Sequence, residues 1–132
     1  MLAASAQEPL WAQPPIEYGV RPSRDRVARL AEQLASGERV LDTDNGGFLP
    51  GLLRALEVSV NSQTTVFSRT SFQARLITTV RPRALYFSDD VYVGYVPASE
   101  VFELTAVDPN EGLVFYTLTN GKEGPVFQRE TH

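Results

Sequence analysis

The fold is decided by residues 84–119, ALYFSDDVYVGYVPASEVFELTAVDPNEGLVFYTLT. Four segments of this stretch are rich in β-branched and aromatic residues, and acidic or Pro/Gly clusters separate them, which is typical of consecutive β-strands. The four segments are Leu85–Ser88, Val91–Val96, Val101–Val107 and Leu113–Thr119. The residues from Asp108 to Gly112 have the composition of a hairpin loop. The stretch therefore predicts strands that follow one another in an antiparallel sheet.

Two helices are predicted ahead of these strands. Ser23 suits an N-cap and Gly37 a helix stop, and four apolar residues between them fall on one face at helical spacing. These are Val27, Leu30, Ala31 and Leu34. Pro50 suits the first position of a short second helix.

The predicted fold class is therefore α+β. We expect an antiparallel sheet of four to five strands, about residues 84–129, covered by a helix at about 23–36 and a short second helix at about 50–56. Asn120-Gly121 predicts a type I′ turn before the final edge strand. Gly94, inside a strand, predicts a bulge or a close neighbour.

The composition limits the classes of function. A length of 132 residues suits one domain. The net charge of −4 and the pI near 5.0 argue against nucleic acid as the principal partner. No apolar run approaches the roughly 20 residues of a membrane span. There is no cysteine, which excludes a thiolate metal site and covalent haem attachment within this chain.

Residues 1–22 are interpreted as a signal remnant followed by a Pro-rich extended arm. Ala4-x-Ala6 is the small-residue pattern of a signal-peptide cleavage site, so we expect an exported protein, periplasmic in a bacterium. The four prolines between Glu8 and Pro22 exclude a helix there. Residues 23–132 are predicted to form the single α+β domain.

Charge is distributed unevenly along the chain. Residues 58–88 hold four arginines and no carboxylate, whereas residues 89–111 hold six carboxylates and no base. Two interpretations stay open: the two segments face each other and pair, or the arginines line a surface for an anionic group. The four arginines are Arg69, Arg75, Arg81 and Arg83.

Residues 58–71 are rich in hydroxyl groups, since seven of the fourteen are Ser or Thr. This density suits an irregular hydrogen-bonded segment or an edge strand. The functional alternative is a polar pocket. Its candidate residues are Ser62, Gln63, Thr64 and Ser68.

Residues with catalytic or metal-binding chemistry are scarce. The single histidine, His132, is the last residue, and no glycine-rich phosphate loop follows a strand. We therefore predict no catalytic residue and no metal ligand, and we expect the protein not to be an enzyme. Four tyrosines at strand spacing are interpreted as core residues or cross-strand pairs rather than a ligand face. They are Tyr86, Tyr92, Tyr95 and Tyr116.

Three motifs carry a family resemblance. They are SQTTVFSRTS at residues 62–71, RALYFSDDVYVGYV at 83–96, and VDP at 107–109 followed by VFYTL at 114–118. Together they resemble a family of exported bacterial proteins in which this block runs into a c-type haem attachment motif, Cys-x-x-Cys-His. The likeness spans about Tyr18 to His132, and this chain stops before any such motif.

The resemblance implies a non-catalytic module of an exported c-type cytochrome-like electron-transfer protein. Such a module shapes the haem environment or docks a redox protein or another subunit of a larger complex. Haem c is then expected in a C-terminal continuation, with Arg69, Arg75, Arg81 and Arg83 as candidates for pairing with haem propionates or an acidic partner. The alternative is a periplasmic module, without a redox role, that binds a small ligand or a protein.

Overall fold

The computed structural model describes residues 22–66, 75, 77, 82–97 and 99–130. Two helices precede the sheet: α1 spans Arg26–Ser36 and α2 spans Phe48–Ala55, and a 3₁₀ turn follows at Val60–Ser62. The strands are β1 (Thr64–Val66), β2 (Arg83–Phe87), β3 (Val91–Tyr95), β4 (Val101–Asp108), β5 (Gly112–Gly121) and β6 (Gly124–Glu130).

The sheet is an antiparallel meander in which each strand pairs with the next one along the chain, in the order β1 to β6. The predicted α+β class and antiparallel sheet are confirmed, but the predicted count of four to five strands is too low. The additional strand is β1, which pairs Thr64 with Leu85 and Val66 with Arg83. It lies within residues 58–71, for which an edge strand was one of the two predicted alternatives, and its three residues are too few to show a strand pattern.

The core lies between one face of the sheet, here called the inner face, and the two helices. Alternate residues of β4 and β5 supply most of this face, as the period of two along a strand requires. Phe48 of α2 packs on Phe102 of β4 with ring centroids 5.2 Å apart. Val27 and Leu30 bring α1 into the same cluster. Burial of this apolar surface stabilises the fold.

The first helix begins later than predicted. Its N-cap is Asp25, whose side chain accepts a hydrogen bond from the Ala28 N–H, so Ser23 and Arg24 lie outside the helix. A carboxylate satisfies a free N–H of the first turn and also favours the positive end of the helix dipole. Gly37 ends the helix, as predicted.

The second helix is also shifted. It spans Phe48–Ala55, so Pro50 occupies its third position rather than its first. The first turn of a helix contains free N–H groups, so proline is tolerated there. Leu52, Leu53 and Leu56 are buried, so this side of the segment faces the core.

The predicted type I′ turn at Asn120-Gly121 is wrong. Both residues continue β5, because Asn120 pairs with Pro125 and its N–H donates to the carbonyl oxygen of Glu100 at 3.0 Å. The turn residues are Lys122 and Glu123, and Gly124 follows with φ of 108°, which favours glycine. The predicted edge strand is confirmed as β6.

Several predictions fall outside the described residues. The signal remnant and Pro-rich arm are among them, except for Pro22.

Within the part of the chain that is described, no helix is long and apolar enough to cross a membrane.

Candidate functional site

A buried polar cluster fastens the start of α1 to the hairpin between β4 and β5. Asp25 and Asp108 are only 2% and 3% exposed. The Ser23 hydroxyl lies within hydrogen-bond distance of both carboxylates, 3.0 Å from Asp108 Oδ2, and the Tyr116 hydroxyl donates to Asp25. Buried carboxylates without such partners would destabilise the fold. The cluster is a structural anchor.

Asp108 is the most strongly bound member of this cluster. Burial alone would raise its pKa, but hydrogen bonds from the N–H groups of Arg24, Asn110 and Glu111 and from the Ser23 hydroxyl lower it from 3.8 to about 2. The Arg24 N–H lies 2.7 Å from Oδ2, and the Asn110 N–H lies 2.7 Å from Oδ1. Donors that favour the ionised carboxylate stabilise the fold wherever that carboxylate is charged.

Tyr116 reaches the same cluster from β5. Burial, together with the hydrogen bond to Asp25, raises the pKa of its hydroxyl well above 10.0. The phenol therefore stays protonated at neutral pH and remains a hydrogen-bond donor to Asp25. Beside it, Arg129 of β6 forms an ion pair with Glu111. Ser23, Asp25 and Tyr116 thus satisfy one another's polar groups within the cluster.

The opposite face of the sheet, here called the outer face, carries a group of large apolar side chains in contact with water. Each is between 40% and 51% exposed. We name this group the aromatic face, and its members are Phe87, Tyr92, Val107, Leu113 and Phe115. A contiguous exposed apolar patch is typical of an interaction site.

Strand register makes the aromatic face contiguous. Phe87 pairs with Tyr92, and Tyr92 pairs in turn with Thr105, which pairs with Phe115. The next pair toward the hairpin is Val107 with Leu113. The Phe87 and Tyr92 rings stack with centroids 6.3 Å apart. The patch therefore crosses four neighbouring strands.

The tyrosines divide between the two faces, and the interpretation as core residues or cross-strand pairs is confirmed. Tyr86 and Tyr116 are buried on the inner face, while Tyr95 stacks on its partner Phe102 with centroids 5.0 Å apart. Tyr92 alone of the four points outward and is largely exposed. The sequence signal for the aromatic face was the alternation itself, which places an aromatic residue on the outward position of β2, β3 and β5.

Beside the aromatic face, one ion pair crosses the middle of the outer face. Arg83 of β2 extends over Gly94 of β3 and reaches Glu103 of β4, with Nη2 2.8 Å from Oε2. A Cβ at position 94 would lie 2.9 Å from Arg83 Nη2, so only glycine leaves the guanidinium its full space. The predicted close neighbour of Gly94 is thus confirmed. Arg83 Nε is buried and has no hydrogen-bond partner among the described residues.

The arginine candidates are only partly described. Arg83 joins the basic segment to the acidic one through Glu103, as the pairing interpretation requires. Arg75 is exposed, whereas Arg69 and Arg81 lie outside the described residues. Two carboxylates of the acidic segment have other partners, since Asp90 pairs with Arg26 and Glu111 with Arg129.

The polar-pocket candidates have structural partners. The Ser62 hydroxyl donates to the Ser59 carbonyl oxygen at 2.6 Å and accepts from the Phe87 N–H at 2.9 Å. Gln63 Oε1 accepts from the Tyr86 hydroxyl at 3.0 Å. Thr64 begins β1, and Ser68 lies outside the described residues. These contacts support the interpretation of the segment as an irregular hydrogen-bonded stretch beside an edge strand.

An apolar cleft of about 700 Å³ lies on another part of the surface, between the end of α1 and the β5–β6 hairpin. Its apolar lining comes from α1, α2, the loop between them and β6. These side chains are Leu34, Val40, Leu41, Phe48 and Phe127. Sequence analysis did not find this cleft, because its walls are about 90 positions apart in the chain.

Haem c does not fit the residues of this chain. Its attachment needs the cysteines of a Cys-x-x-Cys-His motif, and the sequence contains none. Within the described residues, moreover, no group of three His, Cys, Asp or Glu side chains is placed to hold a metal ion. No haem c can therefore attach within this chain.

The fold and its surfaces define a class of protein: a small α+β domain whose exposed apolar sheet face and cleft suit binding. Comparison with protein-family models, curated proteins and solved structures returned no match.

Proposed function

We propose that this chain is a non-catalytic docking module of an exported c-type cytochrome-like electron-transfer protein. The observation that carries the proposal is the aromatic face, an exposed apolar surface on a sheet whose other face is already filled by helices. The proposed occupant is the haem-bearing segment of the same gene product. The family resemblance of the sequence motifs supports this choice.

The size and chemistry of the aromatic face suit a redox contact. Electron-transfer encounters bury less surface than stable complexes, below about 1,200 Å² in total. The three aromatic and two aliphatic side chains of the aromatic face resemble the core of an interface, because aromatic residues are enriched there and carboxylates are depleted. No charged residue is among the five.

The arginines have a secondary place in this proposal. Arg83 is already paired with Glu103, so we assign it to holding the outer face rather than to binding propionate. Arg75 is exposed and remains a propionate or partner candidate, together with Arg69 and Arg81.

The first experiment is to sequence the native gene past the His132 codon and to stain its product for covalent haem by peroxidase activity. A Cys-x-x-Cys-His motif and a stained band would support the redox role. A stop codon together with an unstained product would overturn it.

The second experiment tests the surface in the haem-bearing product. Phe115→Glu places a carboxylate on the aromatic face, and a negative charge near a haem favours its oxidised form. We expect the midpoint potential to fall by an amount on the order of tens of millivolts. Val40→Glu is the control, because Val40 is also exposed, at 84%, but lies in the loop between α1 and α2. Equal potentials for both variants would contradict docking at the aromatic face.

The arginine candidates need a test of their own. Replacing Arg69 and Arg75 by alanine removes positive charge, so a role beside propionates predicts a lower midpoint potential in the haem-bearing product. An unchanged potential together with unchanged partner affinity would remove both residues from the proposal.

The alternative, a module that binds a small ligand or a protein without a redox role, is supported by one observation. The apolar cleft has a volume of about 700 Å³, within the range of small-molecule sites. A thermal-shift screen on this chain tests it, because a ligand that binds only the native state raises the melting temperature.

A further inference from the structure

We propose that the apolar cleft binds an amphiphile with a long aliphatic tail and a carboxylate head group, such as a fatty acid. This proposal concerns a different surface from the aromatic face and stands whether or not the protein has a redox role.

The apolar lining of the cleft is the proposed site for the aliphatic tail. Leu34 of α1, Phe48 of α2 and Phe127 of β6 all line the cleft, so three elements contribute apolar side chains to it. One valine in the lining faces water to an unusual degree, since Val40 is 84% exposed. Covering such a side chain removes apolar surface from water, which favours an apolar occupant.

Two positively charged side chains, Arg39 and Arg29, are the proposed site for the carboxylate head group. Arg39 lines the apolar cleft and also lines an adjoining cavity of about 300 Å³ that contains Arg29. Neither guanidinium has an ion-pair partner among the described residues. The other two arginines of that cavity are engaged, since Arg26 pairs with Glu57 and Asp90, and Arg54 donates to the carbonyl oxygens of Asp42 and Asn45.

Arg39 in the cleft lining and Arg29 in the adjoining cavity, neither ion-paired within the described residues, complement an anionic head on an apolar tail. Arginine binds carboxylate through a planar fork of donors, so it discriminates an acid from the corresponding alcohol. Glu123 also lines the cleft, on the exposed turn of the β5–β6 hairpin, where Lys122 is its neighbour. The proposed position of the head group is therefore beside Arg39, with the tail against the apolar lining.

The test is calorimetric titration of this chain with dodecanoate below its micellar concentration. Dodecanol and dodecyltrimethylammonium are the matched neutral and cationic probes. We expect dodecanoate to bind with a stoichiometry of one, dodecanol to bind about tenfold more weakly, and the cation to bind more weakly still. No detectable binding of dodecanoate, or equal binding of all three probes, would overturn the proposal.

Variants assign the binding to the cleft. Ala35 is an exposed residue of α1 in the lining, so Ala35→Trp fills the cleft without disturbing the core and is expected to abolish binding. Arg39→Gln is expected to weaken dodecanoate about tenfold and to leave dodecanol unchanged. Arg24 lines neither the apolar cleft nor the adjoining cavity. Arg24→Gln is therefore the control and should bind dodecanoate as the unaltered chain does. Circular dichroism melting confirms that each variant is folded, and unchanged binding by Ala35→Trp would overturn the assignment.

Discussion

The two faces of the sheet carry similar residues in different surroundings. Phe102 on the inner face is 4% exposed beneath α2, whereas Phe115 on the outer face is 45% exposed, and the two residues sit on adjacent strands. The inner face is covered by the helices and supplies the core. The outer face combines an ion pair with an exposed apolar patch. Apolar content alone therefore does not tell which face of a strand holds the fold together.

The largest expected effect breaks the inner face. Phe102→Ala removes a buried ring that contacts both Phe48 and Tyr95, so we expect the free energy of unfolding to fall by about 3–5 kcal/mol. Phe115→Ala is the matched variant on the outer face and should lower the free energy of unfolding by about 1 kcal/mol or less. Urea denaturation of both variants measures the contrast. Equal losses would show that the outer face is also part of the folding core.

The second prediction concerns the polar anchor between α1 and the hairpin. The pKa of Asp108 falls from 3.8 to about 2 on folding, so its ionised form stabilises the fold by about 2 kcal/mol above pH 4. Because the folded pKa is the lower one, this stabilisation disappears as the pH falls from about 4 to 2. Asp108→Asn should therefore be about 2 kcal/mol less stable at pH 7 and nearly equal to the unaltered chain near pH 2.

Urea denaturation at the two pH values checks this prediction. Asp89→Asn is the control, because Asp89 is exposed in the turn before β3. A difference between Asp108→Asn and the unaltered chain that does not change with pH would contradict the role assigned to the ionised carboxylate.

The anchor and the two faces show what the sequence could predict. Hairpin composition from Asp108 to Gly112 was sufficient to place a turn, because turn chemistry is local. The partnership of Asp108 with Ser23 joins positions 85 apart, and no local pattern records it. Short β1 lies in a segment where the sequence left an edge strand as one of two alternatives, since two threonines and a valine become a strand only by pairing with β2. Side-chain alternation predicts which residues share a face of the sheet, but it does not predict which face the helices cover.

The third prediction tests the ion pair on the outer face. Gly94→Ala puts a methyl group 2.9 Å from Arg83 Nη2, and the guanidinium must move away from Glu103. We expect the free energy of unfolding to fall by about 1 kcal/mol. This loss is partly offset because alanine is more favourable than glycine within a strand. In an Arg83→Ala background the three atoms nearest to the added methyl group are gone, so the same substitution should be neutral or stabilising. A loss that is equal in both backgrounds would place the clash elsewhere.

The smallest expected effect compares one aromatic pair from each face. Tyr95 and Phe102 stack on the inner face with centroids 5.0 Å apart, while Phe87 and Tyr92 stack on the outer face at 6.3 Å. Double-mutant cycles to alanine should give a coupling of about 1 kcal/mol for the inner pair and about 0.5 kcal/mol for the outer pair, since water surrounds the latter. If the outer coupling equals the inner one, the aromatic face contributes to folding as the core does, and its exposure no longer argues for a docking surface. A weaker outer coupling leaves those side chains with little role in stability, which is what a surface kept for a partner requires.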